Sequence, residues 1–168
     1  LTDDNFASIT AAVEEGRRIF DNLVKFIAWT LPTNGGQGLV ILASIFSGTT
    51  LPILPVQILW INMTTAVFLG LMLAFEPGET DTMKYPPRHP ASPILSGVVV
   101  GRIALVSVLL LIAVFTVFAW QKASGYSLEV ARTVAVNILV MASMAYLFNS
   151  RSLTKSMFRL GVFSNPLL

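Results

Sequence analysis

The chain has 168 residues, of which 54% are hydrophobic and only 12% are charged, whereas soluble domains carry about a quarter charged residues. It contains no cysteine, so a disulfide framework and a thiolate metal site are both excluded. The formal net charge is +2, and the basic residues flank apolar stretches rather than form a separate basic domain. Nucleic acid is therefore not an expected partner.

Four apolar stretches are each long enough to cross a bilayer, whose hydrocarbon core of about 30 Å needs a helix of about 20 residues. They cover residues 23–46, 53–75, 94–120 and 130–148. Soluble buried helices would have to hide nearly every face of all four, which is difficult for so short a chain. The sequence therefore predicts an all-α fold, a polytopic membrane helical bundle with four transmembrane helices in the lipid bilayer.

The first helix is predicted to begin outside the membrane. Asp3, Asp4 or Asn5 can cap its N-terminus, and no helix breaker precedes Gly16. If the helix continues to residue 46, it has about 40 residues and is about 60 Å long, twice the hydrocarbon thickness. Residues 1–22 are therefore expected to be a cytoplasmic stalk, and residues 23–148 the transmembrane region.

Pro32 lies inside the first predicted span and is followed by a run of polar residues and glycines. Proline removes a backbone hydrogen bond, and lipid tolerates free backbone groups only where they are buried in protein or face a water-filled cavity. The sequence therefore predicts an interruption of the helix at this point.

Polar side chains recur at helical spacing in the first two spans. Asn34 and Gln37 are three residues apart, and Asn62 and Thr65 repeat that spacing, so each pair projects to one helix face. Amide and hydroxyl oxygens on two neighbouring helices can surround a dehydrated cation. Interhelical hydrogen bonding, which contributes about 0.6 kcal/mol on average, is an open alternative. Asn137 and Ser143 in the fourth span are weaker candidates, for which packing is favoured over ligation.

The basic residues predict the orientation, because short cytoplasmic loops collect Lys and Arg. Four spans place both ends on one side, which has nine basic residues against Lys122 and Arg132 on the other: Arg17, Arg18, Lys25, Lys84, Arg88, Arg102, Arg151, Lys155 and Arg159. Both termini are expected in the cytoplasm, with the protein in the plasma membrane. Residues 149–168 would be a cytoplasmic loop that leads into a truncated next helix. The absence of a signal peptide and an initiator Met suggests a piece of a longer protein.

The chain resembles the bacterial members of the calcium-type P-type ATPases over nearly its whole length. Five stretches occur in that family's order and at compatible spacings: LTDDNFASI at 1–9, EGRRIFDN at 15–22, PVQILWIN at 55–62, PPRHP at 86–90 and FNSRSL at 148–153. The resemblance implies that the chain follows the phosphorylation domain, and that its spans are the fifth to eighth transmembrane helices of such a pump.

The resemblance also implies a cation site. Asn34 matches an amide ligand position on the family's fifth helix, and Asn62 and Thr65 match ligand positions on its sixth. Where calcium pumps place carboxylates, this sequence has Gln37, Ala66 and Ser143. The four predicted spans thus contain no Asp or Glu, although a divalent ion normally needs anionic ligands. A monovalent ion, a single site, or a carboxylate from the family's fourth helix would each be compatible, and the transported cation stays open.

The function expected from this resemblance is the ion path and stalk of an ATP-driven cation pump. The full-length parent would hydrolyse ATP with Mg²⁺ through an aspartyl-phosphate, and this chain would hold no cofactor or catalytic residue, because it lacks the Asp-Lys-Thr-Gly-Thr motif. Its partners would be the parent's other helices and cytoplasmic domains, and alone it could self-associate in non-native ways. The alternatives are a passive channel or secondary carrier, or a membrane subunit with only a packing role.

Overall fold

A computed structural model describes residues 6–77, 82–84, 86, 87, 89 and 93–152. The described chain is helical and contains no strand: α1 is Phe6–Ser47, α2 is Pro55–Ala74, α3 is Gly97–Ala123 and α4 is Leu128–Ser150, with a 3₁₀ turn at Thr82–Lys84. The predicted all-α fold with four long helices is confirmed for these residues. The first five residues of the predicted stalk, and most of the predicted tail at 149–168, lie outside the described part.

Local sequence signals account for the start of each later helix. Ser96 and Ser127 cap α3 and α4, because their hydroxyls accept from the backbone amides of Val99 and Val130, each at 3.4 Å. Pro55 occupies the first turn of α2, where its missing amide costs nothing. Polar caps at membrane-helix ends satisfy donors that lipid cannot.

Helix α1 lies at the centre of the bundle and packs against α2, α3 and α4, most extensively against α3. By length and apolar composition, α2, α3 and α4 are able to cross a membrane, and α1 is not among the helices that meet both criteria. Its second half carries Thr, Asn, Gln and glycine residues that lower its apolarity. The three apolar helices support a multi-pass membrane protein.

Two apolar clusters hold the four helices together. The larger contains buried residues from all four helices and one residue, Ile53, from the α1–α2 connection: Val40, Ile53, Ile61, Leu110, Val114, Phe118, Ala131, Ala135 and Leu139. The smaller joins α1, α2 and α4 and consists of Trp29, Leu69, Leu73, Tyr146 and Leu147. Residues 33–37 of α1, which include the predicted ligands Asn34 and Gln37, lie along the helix between Trp29 and Val40. One apolar cluster therefore lies on each side of this segment.

The predicted interruption at Pro32 is wrong, because α1 is helical throughout Phe6–Ser47. Pro32 has no amide to donate to the carbonyl of Ala28, which an uninterrupted helix would require. The hydroxyl of Tyr146 on α4 donates to that carbonyl instead, at 3.2 Å. Since an unsatisfied carbonyl in hydrocarbon costs several kcal/mol, this bond allows the helix to continue.

Candidate functional site

Three of the predicted site residues line one open groove between α1 and α2. Asn34 and Gln37 are on α1, Asn62 is on α2, and the groove has a volume of about 420 Å³. The remaining lining residues are mostly apolar: Gly38, Ile41, Leu42, Pro55 and Ile58. The structure therefore brings together three amide side chains from two neighbouring helices, with apolar side chains around them.

Gln37 has an unusual environment within this groove. It is 3% exposed, and among the described residues its Oε1 atom has no hydrogen-bond partner. Leaving a buried acceptor unsatisfied costs about 1–3 kcal/mol, so native structures rarely do so without a reason. Asn34, one helical turn earlier, is exposed, and Asn62 across the groove is half-buried. Gln37 thus offers a free buried acceptor beside two more accessible amides.

Thr65 and Ser143 are not brought into the groove. The Thr65 hydroxyl donates to the Ile61 carbonyl at 2.8 Å, and the Ser143 hydroxyl donates to the Leu139 carbonyl at 2.8 Å. Each hydroxyl therefore uses its proton within its own helix and keeps its oxygen lone pairs. Thr65 lies on α2 one turn beyond Asn62, whereas Ser143 is buried on α4.

The donors in the groove are neutral. The described residues contain no group of three or more His, Cys, Asp or Glu side chains that could hold a metal ion. Amide oxygens are suitable ligands for hard cations such as Ca²⁺, but they do not supply the negative charge that a dehydrated divalent ion normally needs. The groove can therefore contribute oxygen dipoles to a cation and no formal charge.

Sequence reasoning missed the residues that hold α1 just before the groove. The Trp29 indole donates to the Ser143 carbonyl at 3.0 Å, and the Ser107 hydroxyl on α3 donates to the Pro32 carbonyl at 3.1 Å. With the bond from Tyr146, α1 is fixed to both α3 and α4 within little more than one turn. Pro32 was the available signal, because a proline inside a membrane helix requires a donor for the carbonyl four residues earlier.

The chain is similar in sequence to known cation-transporting ATPases. The family described as "Cation transporting ATPase, C-terminus" matches residues 50–168. "Probable cation-transporting ATPase F" of Mycobacterium tuberculosis (strain ATCC 25618 / H37Rv) is 61% identical over 165 residues, which are 98% of this chain and 18% of that protein. "Cation-transporting ATPase pma1" of Synechocystis sp. is 44% identical over 156 residues, or 93% of this chain and 17% of that protein.

"Calcium-transporting ATPase" of Bacillus subtilis (strain 168) is 37% identical over 169 residues, which cover 98% of this chain and 18% of that protein. The chain therefore spans less than a fifth of the length of each of these relatives. The resemblance drawn from the five sequence stretches is confirmed at the level of the family. This chain belongs to the family of cation-transporting ATPase C-terminal regions.

Proposed function

We propose that this chain forms the stalk and part of the ion path of an ATP-driven cation pump, and that Asn34, Gln37 and Asn62 contribute oxygen ligands to the transported cation. The names of its relatives support the pump, and the groove between α1 and α2 supports the ligands. The alternatives of a passive channel, a secondary carrier or a packing subunit do not explain why the sequence is so similar to ATPases.

The single observation that carries the ligand assignment is the Gln37 side chain. Its Oε1 is buried without a hydrogen-bond partner in the described chain and belongs to a residue that lines the same groove as two other amides. A buried acceptor without a donor lowers the stability of the folded protein unless another group or ion binds it. A cation that enters the groove would recover that loss by accepting the oxygen lone pair as a ligand.

The proposed arrangement assigns α1 two roles along one continuous helix. Its 42 residues correspond to about 63 Å, so the helix can extend from a cytoplasmic stalk to the groove. In the parent, ATP and Mg²⁺ would act in the cytoplasmic domains, and α1 would transmit their movement to Asn34 and Gln37. Both termini of the chain would face the cytoplasm and the protein would lie in the plasma membrane, with the parent's remaining helices completing the site.

The test is the ATPase activity of the purified full-length parent at fixed saturating Mg²⁺ and ATP, measured over a concentration series of Ca²⁺, Mn²⁺, Na⁺ and K⁺. One ion is expected to activate hydrolysis. Asn34→Ala, Gln37→Ala and Asn62→Ala should each raise the concentration required for half-maximal activation about tenfold or more, because each removes one oxygen ligand from a dehydrated ion. The activating ion identifies the cargo.

Asn137→Ala is the matched control, because Asn137 is an amide on α4 that does not line the groove. It should leave the activation curve unchanged. If the three groove variants behave like Asn137→Ala, the amides serve in packing and the cation passes elsewhere. ATP-independent ion flux through the purified parent, equal with and without nucleotide, would support a channel instead.

A further inference from the structure

The turn of α1 that precedes the groove is held by a bond from another helix. Pro32 has no amide proton, so the Ala28 carbonyl lacks its helical donor. Tyr146 lies 118 residues further along the chain and donates its hydroxyl to that carbonyl at 3.2 Å. Tyr146 is 8% exposed and Ala28 is 1% exposed, so water does not compete for this bond. The tyrosine hydroxyl thus replaces a backbone amide.

The hydroxyl of Tyr146 is held in place by its own surroundings. The ring packs in the apolar cluster that contains Trp29 and Leu147. The guanidinium of Arg102 on α3 lies over the Tyr146 ring, 5.4 Å from the ring centroid. Nη2 of Arg102 also donates to the Asn149 carbonyl at 2.8 Å. A cation over an aromatic face is attractive, and here it connects α3 to α4 beside the tyrosine. The ring is therefore fixed from two helices.

The Ala28–Pro32 turn leads directly to the predicted ligands. Asn34 is two residues after Pro32 and Gln37 is five residues after it, and both belong to the same unbroken helix. Since each residue of an α-helix turns by about 100°, a small rotation at Pro32 changes the direction of both amides. Ser107, which donates to the Pro32 carbonyl, opposes such a rotation from the α3 side.

From these contacts we infer that Tyr146 is a positioning residue for the cation site: its hydroxyl completes the helix at Pro32 and thereby sets the direction of Asn34 and Gln37. This inference rests on the proposed function, because it assumes that these amides bind the cation. Tyr146 is not among the residues that line the groove. It acts only through the backbone of α1.

The positioning role of Tyr146 depends on Pro32. If residue 32 had an amide proton, that proton would bind the Ala28 carbonyl within α1, and the tyrosine hydroxyl would become dispensable. A packing role for the Tyr146 ring would not depend on residue 32. A double-mutant cycle with Tyr146→Phe and Pro32→Ala therefore separates the two roles. Pro32 is fully buried, so Pro32→Ala removes ring carbons from the packed interior, but alanine favours a helix interior and the variant is expected to fold.

The experiment uses the full-length parent and the ion that activates its ATPase. Tyr146→Phe should raise the half-activating ion concentration about fivefold with the maximal rate retained, because one buried hydrogen bond is lost and the ligands are misaligned. In the Pro32→Ala background, the same Tyr146→Phe change should alter the half-activating concentration by less than about twofold, because the backbone amide then serves the Ala28 carbonyl. Tyr126→Phe is the control, since Tyr126 is 57% exposed in the loop between α3 and α4. It should change nothing.

Two results would overturn the inference. One is an equal effect of Tyr146→Phe in the parent and in the Pro32→Ala background, which would leave only packing; the other is no effect of Tyr146→Phe on the activation curve of the parent. The failure of the proposed function has a different signature, in which Asn34→Ala and Asn62→Ala leave activation unchanged; the positioning role would then fall as well. If those two variants weaken activation while Tyr146→Phe does not, only the positioning role is wrong.

Discussion

Gly36 is a residue at which α1 and α3 approach closely. A Cβ atom built at Gly36 would lie 2.8 Å from the Cβ of Leu110 and 3.4 Å from the Ser107 carbonyl oxygen. Real Cβ atoms do not approach other heavy atoms as closely as the first distance, and the Cβ of Leu110 cannot rotate away because it is fixed to the backbone. Small residues allow close backbone approach between membrane helices. Gly36 therefore permits the contact that brings Ser107 to the Pro32 carbonyl.

Gly36→Ala is accordingly expected to destabilise the protein by about 1–3 kcal/mol, because α1 and α3 must move apart to admit the methyl group. Gly101→Ala on α3 is the matched control, since a Cβ there meets nothing within 4 Å and alanine is the better helix former. Thermal unfolding of the purified full-length protein in detergent measures both changes. A lower midpoint for Gly36→Ala beside an unchanged or higher midpoint for Gly101→Ala is the expected pattern; equal midpoints would contradict it.

At the scale of helices, a buried ion pair joins the ends of α2 and α4. The Arg151 side chain donates to Glu76 Oε1 through Nε at 2.9 Å and through Nη2 at 2.7 Å, and the two side chains are 2% and 5% exposed. Asn22 on α1 donates to the carbonyls of Ala74 and Glu76 at 3.1 and 2.8 Å, which satisfies acceptors at the end of α2. Helix α1 is thus connected to the end of α2 through Asn22.

Removing one member of this pair should be costly. Arg151→Met leaves the Glu76 carboxylate buried without its guanidinium, and such a change typically destabilises by about 3–5 kcal/mol. The combined Glu76→Gln and Arg151→Met variant should lose much less, because neither charge of the pair remains. Arg18→Met provides the comparison: it breaks the exposed Arg18–Glu15 pair at 3.4 Å, and such pairs contribute about 0–1 kcal/mol. Thermal unfolding of the three variants measures these losses of stability, and Arg151→Met should have the lowest unfolding midpoint. Equal midpoints for Arg151→Met and Arg18→Met would refute the expectation.

The existence of the four helices could be predicted from sequence, because apolar length and the serine caps are local properties. The continuity of α1 at Pro32 could not, since the compensating hydroxyl of Tyr146 comes from a residue 118 positions away. The Glu76–Arg151 pair was missed for a related reason. Arg151 follows the last span and has the pattern of an ordinary cytoplasmic loop charge, and its burial beside Glu76 is a property of the tertiary packing.

The candidate site was partly accessible to sequence reasoning. The three-residue spacing of Asn34 and Gln37, together with Asn62 on the following helix, indicates one shared region, and the structure places these amides along one groove. The hydrogen bonding of each predicted site residue depends on tertiary packing, which the sequence does not give. Gln37 Oε1 is unpartnered in the described part, whereas the Thr65 hydroxyl donates to its own helix. Their role as cation ligands stays a prediction until ion activation is measured.

At the scale of the whole molecule, the apolar surface and the charges together indicate how the chain lies in a bilayer. Large apolar side chains of α2 face outward, with Leu59 71%, Met63 64% and Phe68 65% exposed. Such a surface is stable in lipid or against other apolar helices, and not in water. The bias of nine basic residues against two then favours one orientation, with the α2–α3 connection in the cytoplasm and the α3–α4 loop outside.

This orientation can be tested with single cysteines, because the chain has none of its own. Ser124→Cys lies in the exposed α3–α4 loop, and Met83→Cys lies in the 3₁₀ turn between α2 and α3, where Met83 is 40% exposed. With the chain produced in cells, a membrane-impermeant maleimide should label Ser124→Cys on intact cells, and Met83→Cys only after permeabilisation. The reverse pattern would mean that the basic residues face outward. In that case the stalk half of α1 could not reach cytoplasmic ATP-hydrolysing domains, so the proposed transmission along α1 requires the expected pattern.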